Sequence, residues 1–121
     1  MDSDEKALFD SIMPLITDKG FEKAEGKLDS IISSTTYSEE AVSYAHFLIG
    51  YINTCWNNKH KNHNLAKKML LDCIESNFPI SKAYSLFADQ EEDENIAINY
   101  LKIGLKKFPE SPSIYLGLLK H

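Results

Sequence analysis

Arginine is absent from this chain of 121 residues, although lysine occurs 13 times and Asp and Glu together occur 18 times. The formal net charge is therefore −5, whereas proteins that bind nucleic acid usually present a strongly basic surface. The chain also lacks the planar guanidinium group that contacts phosphates and guanine through two parallel hydrogen bonds. We therefore expect no nucleic-acid partner.

Cysteine and long apolar runs are also scarce. Cys55 and Cys73 are too few for a disulfide-bonded scaffold. No apolar run approaches the roughly 18 residues of a membrane-spanning helix, and the acidic start Met-Asp-Ser-Asp-Glu-Lys is unlike a signal peptide. With 43% hydrophobic residues, we expect a cytoplasmic, folded protein with no membrane association and a single domain over residues 1–121.

The few glycines and prolines, five and four, lie mostly between apolar stretches that have helical spacing. One such stretch is Phe9, Ile12, Met13 and Ile16, and another is Tyr44, Phe47, Leu48 and Tyr51. Nothing shows the sustained apolar and polar alternation of strands. The sequence therefore predicts an all-α fold.

Helix start and stop signals divide the chain into about seven helices. The first three cover roughly 4–18, 21–33 and a segment that begins after Ser38 and runs to Trp56; the next four cover roughly 64–77, 80–89, 94–108 and a segment from Ser111-Pro112 to the end. A polar loop at 57–64 and an acidic turn from Asp89 to Glu94 separate them. Pro14 predicts either a kink in the first helix or a later start.

Reading the helices in pairs reveals an internal repeat. Each first helix has an aromatic residue followed by two apolar residues three and four positions later, namely Phe9/Ile12/Met13, Tyr44/Phe47/Leu48, Tyr84/Phe87/Ala88 and Tyr115/Leu118/Leu119. Each second helix has a small residue, an apolar residue four later and a compact one three after that, namely Ala24/Leu28/Ile31, Ala66/Leu70/Cys73 and Ala97/Leu101/Gly104. We expect all these residues to pack in the core.

This pattern resembles the tetratricopeptide repeat, a helix-turn-helix unit of about 34 residues. The aromatic anchors Phe9, Tyr44, Tyr84 and Tyr115 are 35, 40 and 31 residues apart, and Pro109 closes the last complete unit. The final unit is also similar to half-a-TPR repeats. The resemblance implies a right-handed stack of antiparallel helix hairpins, with three pairs and one extra helix.

The resemblance further implies a concave groove, lined by the first helix of each pair, that binds a peptide. The expected groove residues are Val42, Ala45, Ile49, Asn53, Lys82, Ser85 and Asp89. Chaperone-binding members hold a terminal carboxylate with Lys and Asn, but the matching positions here are Asp10, Pro14, Ala45 and Ile49. We therefore expect an adaptor or scaffold that does not bind heat-shock chaperones in this way.

Charge is distributed unevenly along the chain. Residues 59–88 carry a net charge of +3, between −6 in residues 1–58 and −2 in residues 89–121. The basic loop candidate comprises Trp56, Lys59, Lys61, Lys67 and Lys68, and an exposed Trp56 would be a strong binding residue. The acidic first half supports an alternative function, a small immunity-type protein that neutralises a basic toxin or enzyme.

No residue pattern indicates catalysis or a cofactor. His60 and His63 with Cys55 and Cys73 lack the spacing of a zinc site, and the acidic run Asp89 to Glu94 has the character of a solvated turn. The chain contains no phosphate-binding loop and no zinc-protease or hydrolase motif. We expect a non-catalytic protein without metal or cofactor.

The last helix is apolar around most of its circumference, which predicts a covered face. Its interface candidates are Ile114, Tyr115, Leu116, Leu118 and Leu119. We expect another subunit or further C-terminal repeats to cover this face, because the chain ends within the helix with no polar tail.

Overall fold

Seven α-helices and no strands make up the computed structural model, which describes residues 1–121. The helices are α1 (Ser3–Thr17), α2 (Phe21–Ser33), α3 (Glu39–Ile52), α4 (His63–Glu75), α5 (Lys82–Gln90), α6 (Glu94–Lys107) and α7 (Pro112–Lys120). Each helix packs against its neighbours in the chain, and α5 also packs against α7. This arrangement confirms the predicted all-α stack of helix hairpins. None of the helices combines the length and the apolar character that crossing a membrane requires.

The helix ends follow the capping residues of the sequence. Four N-cap side chains accept hydrogen bonds from amides of the first turn, and these are Asp2, Ser38, Asn62 and Asp93. Lys19 and Asn77 follow the ends of α1 and α4 with left-handed backbone angles, φ 65° and 59°. Local polar chemistry therefore determines where most helices begin and where two of them end.

Two helices differ from the sequence prediction. Helix α3 ends at Ile52 instead of Trp56, because the Asn53 side chain turns back to donate to the Ile49 carbonyl, 2.9 Å away. Helix α1 begins at Ser3 and continues through Pro14, so the expectation of a later start is wrong. The Pro14 carbonyl still accepts the Asp18 amide at 2.9 Å, and its exposed ring disturbs no neighbouring helix.

The second helices of the three pairs supply the predicted core. All nine residues of the repeated small-apolar-compact pattern are buried, from Ala24 in α2 to Gly104 in α6. A β-carbon on Gly104 would lie 2.8 Å from the Tyr84 ring and 3.0 Å from Ile114. The small residues therefore let neighbouring helices approach closely, as the spacing predicted.

The first helices only partly follow the predicted pattern. Phe9, Ile12, Phe47, Leu48 and the α5 residues of the pattern are buried, whereas Tyr44 and Leu118 are half-buried. Met13, Tyr115 and Leu119 are exposed, so their assignment to the core is wrong. These three side chains lie at positions that no later helix of the chain covers.

Candidate functional site

A concave surface of the molecule is formed by a cleft between the first helices of the three hairpins. It has a volume of about 670 Å³ and apolar walls, which is within the size range of ligand-binding sites. We call it the aromatic cleft. Its lining residues are Met13, Ile16, Thr17, Phe21, Tyr44, Phe47, Leu48, Tyr51, Thr54, Cys55, Trp56, Asn57 and Lys82.

A row of aromatic rings on α3 forms the wall of the cleft. The rings of Tyr44 and Phe47 are nearly parallel with centroids 6.3 Å apart, and those of Phe47 and Tyr51 are 6.4 Å apart. Phe9 of α1 packs against the far side of Tyr44 at 4.7 Å. Burial and nearby Asp10 raise the pKa of Tyr44, so its hydroxyl stays neutral. The row presents flat, apolar surface that loses little side-chain entropy on binding.

Trp56 stands at one end of the row with 87% of its surface exposed. The loop that carries it is held in place by hydrogen bonds, because the buried Asn58 side chain donates to the Ile52 carbonyl at 3.0 Å. The side-chain Oδ1 of Asn53 accepts a hydrogen bond from the Asn62 amide at 2.9 Å. An ordered loop therefore presents a large exposed ring beside the cleft.

Lys82 is the single charged residue of the cleft lining. It is the first residue of α5, and its ammonium group lies 5.3 Å from the centroid of the Tyr51 ring, within the range of a cation–π interaction. Every other lining residue is apolar, aromatic or neutral and polar. The cleft therefore combines an apolar wall with one positive charge.

Cys55 contributes a thiol to the cleft wall. Its Sγ donates to the Tyr51 carbonyl at 3.4 Å, and burial raises the pKa of the thiol despite the opposing charges of Lys82 and Lys61. Cys73 is completely buried in the core, where burial raises its pKa to about 12. Neither thiol has the lowered pKa of a reactive nucleophile.

The structure changes the predicted list of groove residues. Ala45, Ile49 and Asn53 are buried in the interior, so they cannot contact a ligand in the groove and their assignment is wrong. Their α3 face packs into the hairpin stack, whereas the opposite face, with Tyr44 and Tyr51, lines the cleft.

The remaining groove candidates are scattered. Lys82 lines the cleft, but Ser85 is buried and donates to the Lys82 carbonyl at 3.0 Å, which contradicts its assignment to the groove. Asp89 is 3.6 Å from the Lys120 ammonium group. Half-buried Val42 is outside the cleft lining. One of the seven predicted residues therefore belongs to the aromatic cleft.

The basic loop candidate separates into two parts. Lys67 pairs with Glu91 at 3.2 Å and Lys68 pairs with Asp72 at 3.3 Å, both on helix α4. Lys59 and Lys61 lie in the loop, are exposed and have no carboxylate within 4 Å. Of the four lysines in the basic loop candidate, only Lys59 and Lys61 therefore have no carboxylate partner.

The last helix has one buried side and one exposed side. Ile114 is completely buried, so it is a core residue and not an interface residue as predicted. Leu118 is half-buried, whereas Tyr115, Leu116 and Leu119 are exposed. That another subunit or further repeats cover these three residues stays a prediction.

The four residues weighed as metal ligands are not brought together. Cys73 is in the core and Cys55 is on the cleft wall, while His63 Nδ1 is 2.8 Å from the Gln90 side chain. Nowhere do three His, Cys, Asp or Glu side chains converge as metal ligands would.

Sequence reasoning missed most of the cleft because it assigned Tyr44 and Phe47 to the core alone and gave Tyr51 no role in a groove. Tyr44, Phe47 and Tyr51 recur at intervals of three and four residues, which is the spacing of one helix face. A second apolar face, with Ala41, Ala45 and Ile49, runs along the same helix. Two apolar faces on one helix were the available signal, because the hairpin partner covers only one of them.

No protein-family model, curated protein or solved structure matches this chain. The resemblance to tetratricopeptide repeats therefore stays a prediction based on residue spacing.

Proposed function

We propose that the chain is a non-catalytic interaction module, a tetratricopeptide-like adaptor or scaffold that binds an apolar peptide segment in the aromatic cleft. The observation that carries this proposal is the aromatic row on the cleft wall, where Tyr44 and Tyr51 are half-buried, next to an 87% exposed Trp56. Exposed tryptophan beside a preformed apolar cleft is typical of residues that dominate protein interfaces. Folding leaves this surface in water, and a peptide would bury it.

The cleft is better suited to binding than to chemistry. Its polar groups are hydroxyls, one side-chain amide, one indole N–H, one thiol and one ammonium group, and the thiol has a raised pKa. The lining contains neither a histidine nor a carboxylate that could transfer a proton near neutral pH. These features support a binding role in which the helices act as a rigid frame.

Selection from a displayed random-peptide library on the immobilised full chain tests the proposal. Trp56 is the sole tryptophan, so its fluorescence reports occupancy of the cleft by peptides that lack tryptophan. Trp56→Ala should weaken the binding of the selected peptides by at least about 30-fold, since residues of this kind contribute about 2 kcal/mol or more to the binding free energy. Because Trp56 is so exposed, the variant should fold normally.

Leu119→Ala is the matched control, because Leu119 is also a large apolar side chain, 82% exposed, and lies outside the cleft. It should leave the affinity of the selected peptides unchanged. Equal binding to Trp56→Ala and weakened binding to Leu119→Ala would move the site to α7 and contradict the proposal. Failure to select any peptide would contradict it as well.

A specific observation also supports the alternative, a neutraliser of a basic toxin or enzyme. Most acidic side chains of the first 58 residues are exposed, and these are Asp2, Asp4, Asp10, Asp18, Glu22, Asp29, Glu39 and Glu40. A basic partner held by this surface would associate rapidly and dissociate as salt is raised. Its affinity should be insensitive to Trp56→Ala, which distinguishes it from a peptide in the cleft.

A further inference from the structure

The charges around the aromatic cleft are one-sided. None of its 13 lining residues is Asp or Glu, although the chain has 18 acidic residues and a net charge of −5. Lys82 is the one ionised group of the lining. A surface with this composition favours a negative group on whatever it binds.

The positive end of the cleft has no carboxylate partner within the chain. Three other lysines, Lys67, Lys68 and Lys120, pair with carboxylates, whereas no carboxylate is within 4 Å of Lys82 or Lys61. Lys61 lies in the same loop as the lining residues Trp56 and Asn57, where its backbone amide donates to the Asn58 carbonyl at 3.3 Å. The Lys82 ammonium group thus lines the cleft without a carboxylate partner, and the loop that borders the cleft carries the exposed Lys61.

We infer that the segment bound in the aromatic cleft carries an Asp or Glu side chain that pairs with Lys82 and Lys61, beside an apolar side chain that packs on Tyr51 and Phe47. This inference rests on the proposed peptide-binding function and adds the chemistry of the bound residues. The apolar side chain covers the ring row, and the carboxylate replaces the water around the Lys82 ammonium group.

The overall charge of the protein sharpens this specificity. A net charge of −5 repels acidic peptides at long range, so general acidity does not increase affinity. Attraction to an acidic side chain occurs only close to the two exposed lysines, because solvent and salt screen their charge at longer distances. The preferred ligand is therefore an apolar segment with one well-placed acid, and not a polyacidic tail.

The carboxylate comes from a side chain within the segment and not from a chain terminus. The positive end of the cleft is open, since Lys61 and Trp56 are both exposed, so a peptide can continue past Lys82. The lining supplies a single amide side chain, Asn57. Lysine binds as a point charge on a flexible stem, which a side-chain carboxylate can meet from several backbone positions.

The experiment uses the selected peptides in matched sets on the full chain. Each peptide is measured with its acid, with the acid replaced by the isosteric amide (Glu by Gln or Asp by Asn), and with its C-terminus amidated. The protein variants are Lys61→Gln/Lys82→Gln and the control Lys102→Gln, an exposed lysine of α6 outside the cleft. Circular dichroism verifies that each variant is folded.

On the wild-type chain, replacing the acid by the amide should weaken binding by about 10-fold or more, as expected for a charge-assisted contact. The difference in affinity between the acid and amide peptides should fall below about 3-fold for the variant Lys61→Gln/Lys82→Gln and should persist for the variant Lys102→Gln. C-terminal amidation should have no effect.

Equal affinity of acid and amide peptides, with binding still lost in Trp56→Ala, would overturn this inference and leave the peptide-binding function intact. If only amidation of the C-terminus weakens binding, the carboxylate that pairs with the lysines belongs to the chain terminus and not to a side chain, which would overturn that part of the inference. If no peptide binds the cleft at all, both the inference and the proposed function are wrong.

Discussion

The carboxylate of Glu5 joins the start of α1 to the start of α3, because both of its oxygens accept hydrogen bonds from Ser38. The Ser38 amide donates to Oε2 at 2.7 Å and its hydroxyl donates to Oε1 at 2.8 Å. The same hydroxyl accepts the Ala41 amide at 3.2 Å and so caps α3. Glu5 is only 6% exposed, and these bonds lower its pKa below its ordinary value of 4.5.

The lowered pKa predicts a pH-dependent contribution of Glu5 to stability. In the unfolded chain Glu5 binds its proton at a higher pH than in the folded one, so its contribution is complete above about pH 4.5 and is lost as the pH falls through the folded value. Glu5→Gln should therefore be less stable than wild type at pH 7, and the gap should shrink in acid. Urea unfolding followed by circular dichroism at several pH values measures this.

Glu110→Gln is the control for Glu5, because Glu110 is exposed and lies in the turn before α7. It removes the same charge and should hardly change stability at any pH. A Glu5→Gln variant as stable as wild type at pH 7, or one whose deficit stays constant in acid, would contradict the role of this carboxylate.

Two helical glycines should respond in opposite directions to alanine. A β-carbon on Gly50 would lie 2.7 and 2.8 Å from atoms of Leu70, which is completely buried and cannot move aside. Gly50→Ala should cost about 1–3 kcal/mol of stability through overpacking between α3 and α4.

Gly26 in α2 is the matched case, since no atom lies within 4 Å of an added β-carbon. Gly26→Ala should stabilise the protein by about 0.5–1 kcal/mol, because alanine favours the helix and glycine does not. The same unfolding measurement compares the two variants. A change in the free energy of unfolding with the same sign in both variants would be inconsistent with close packing of α3 on α4.

The two thiols should differ in reactivity. Cys73 is completely buried with a pKa of about 12, so it should not react with iodoacetamide in the folded protein. Cys55 is half-buried and should react slowly, with a rate that falls further when a peptide fills the cleft. Mass spectrometry should find one modified cysteine in the native state and two in urea. Protection of neither thiol by a bound peptide would place the peptide elsewhere.

Asn53 should be important for stability and not for ligand contact. Its side-chain nitrogen donates to the Ile49 carbonyl and to Glu25 Oε1, and its oxygen accepts the Asn62 amide. Asn53→Ala leaves these groups without partners and should cost about 1–3 kcal/mol. The affinity of the folded variant for a cleft peptide should remain within about 3-fold of wild type, below the cost of one lost contact. A large loss of affinity without loss of stability would restore Asn53 to the groove.

The sequence was sufficient to predict the helices and the core of the second helices. Ser38 and Ser111-Pro112 indicated where helices begin because capping depends on neighbouring residues alone. Ala66 and Leu70 were predicted to lie in the core, and both are buried. The small Ala66 lets two helices come close, and the larger Leu70 fills the space between them. Both features are local or repeat at a fixed spacing.

The cleft could not be predicted from the same spacing. Ile49 and Tyr51 both belong to apolar faces of α3, and only the positions of α1, α4 and α5 decide which face is covered. The hydrogen bonds between Glu5 and Ser38 are equally non-local, since 33 residues separate the partners. Sequence reasoning identified Trp56 and Lys82 as candidates, but it assigned them to a loop and a groove that the structure combines in one cleft.

Intermolecular nuclear Overhauser effects between a selected peptide and the isotope-labelled full chain distinguish a peptide bound in the aromatic cleft from one bound elsewhere. The peptide's apolar protons should show effects to the ring protons of Tyr44, Phe47 and Tyr51, the residues that form the cleft wall. Effects to Leu116 and Leu119 on α7, with none to the α3 rings, would show that the peptide binds the exposed face of the last helix and would contradict the account.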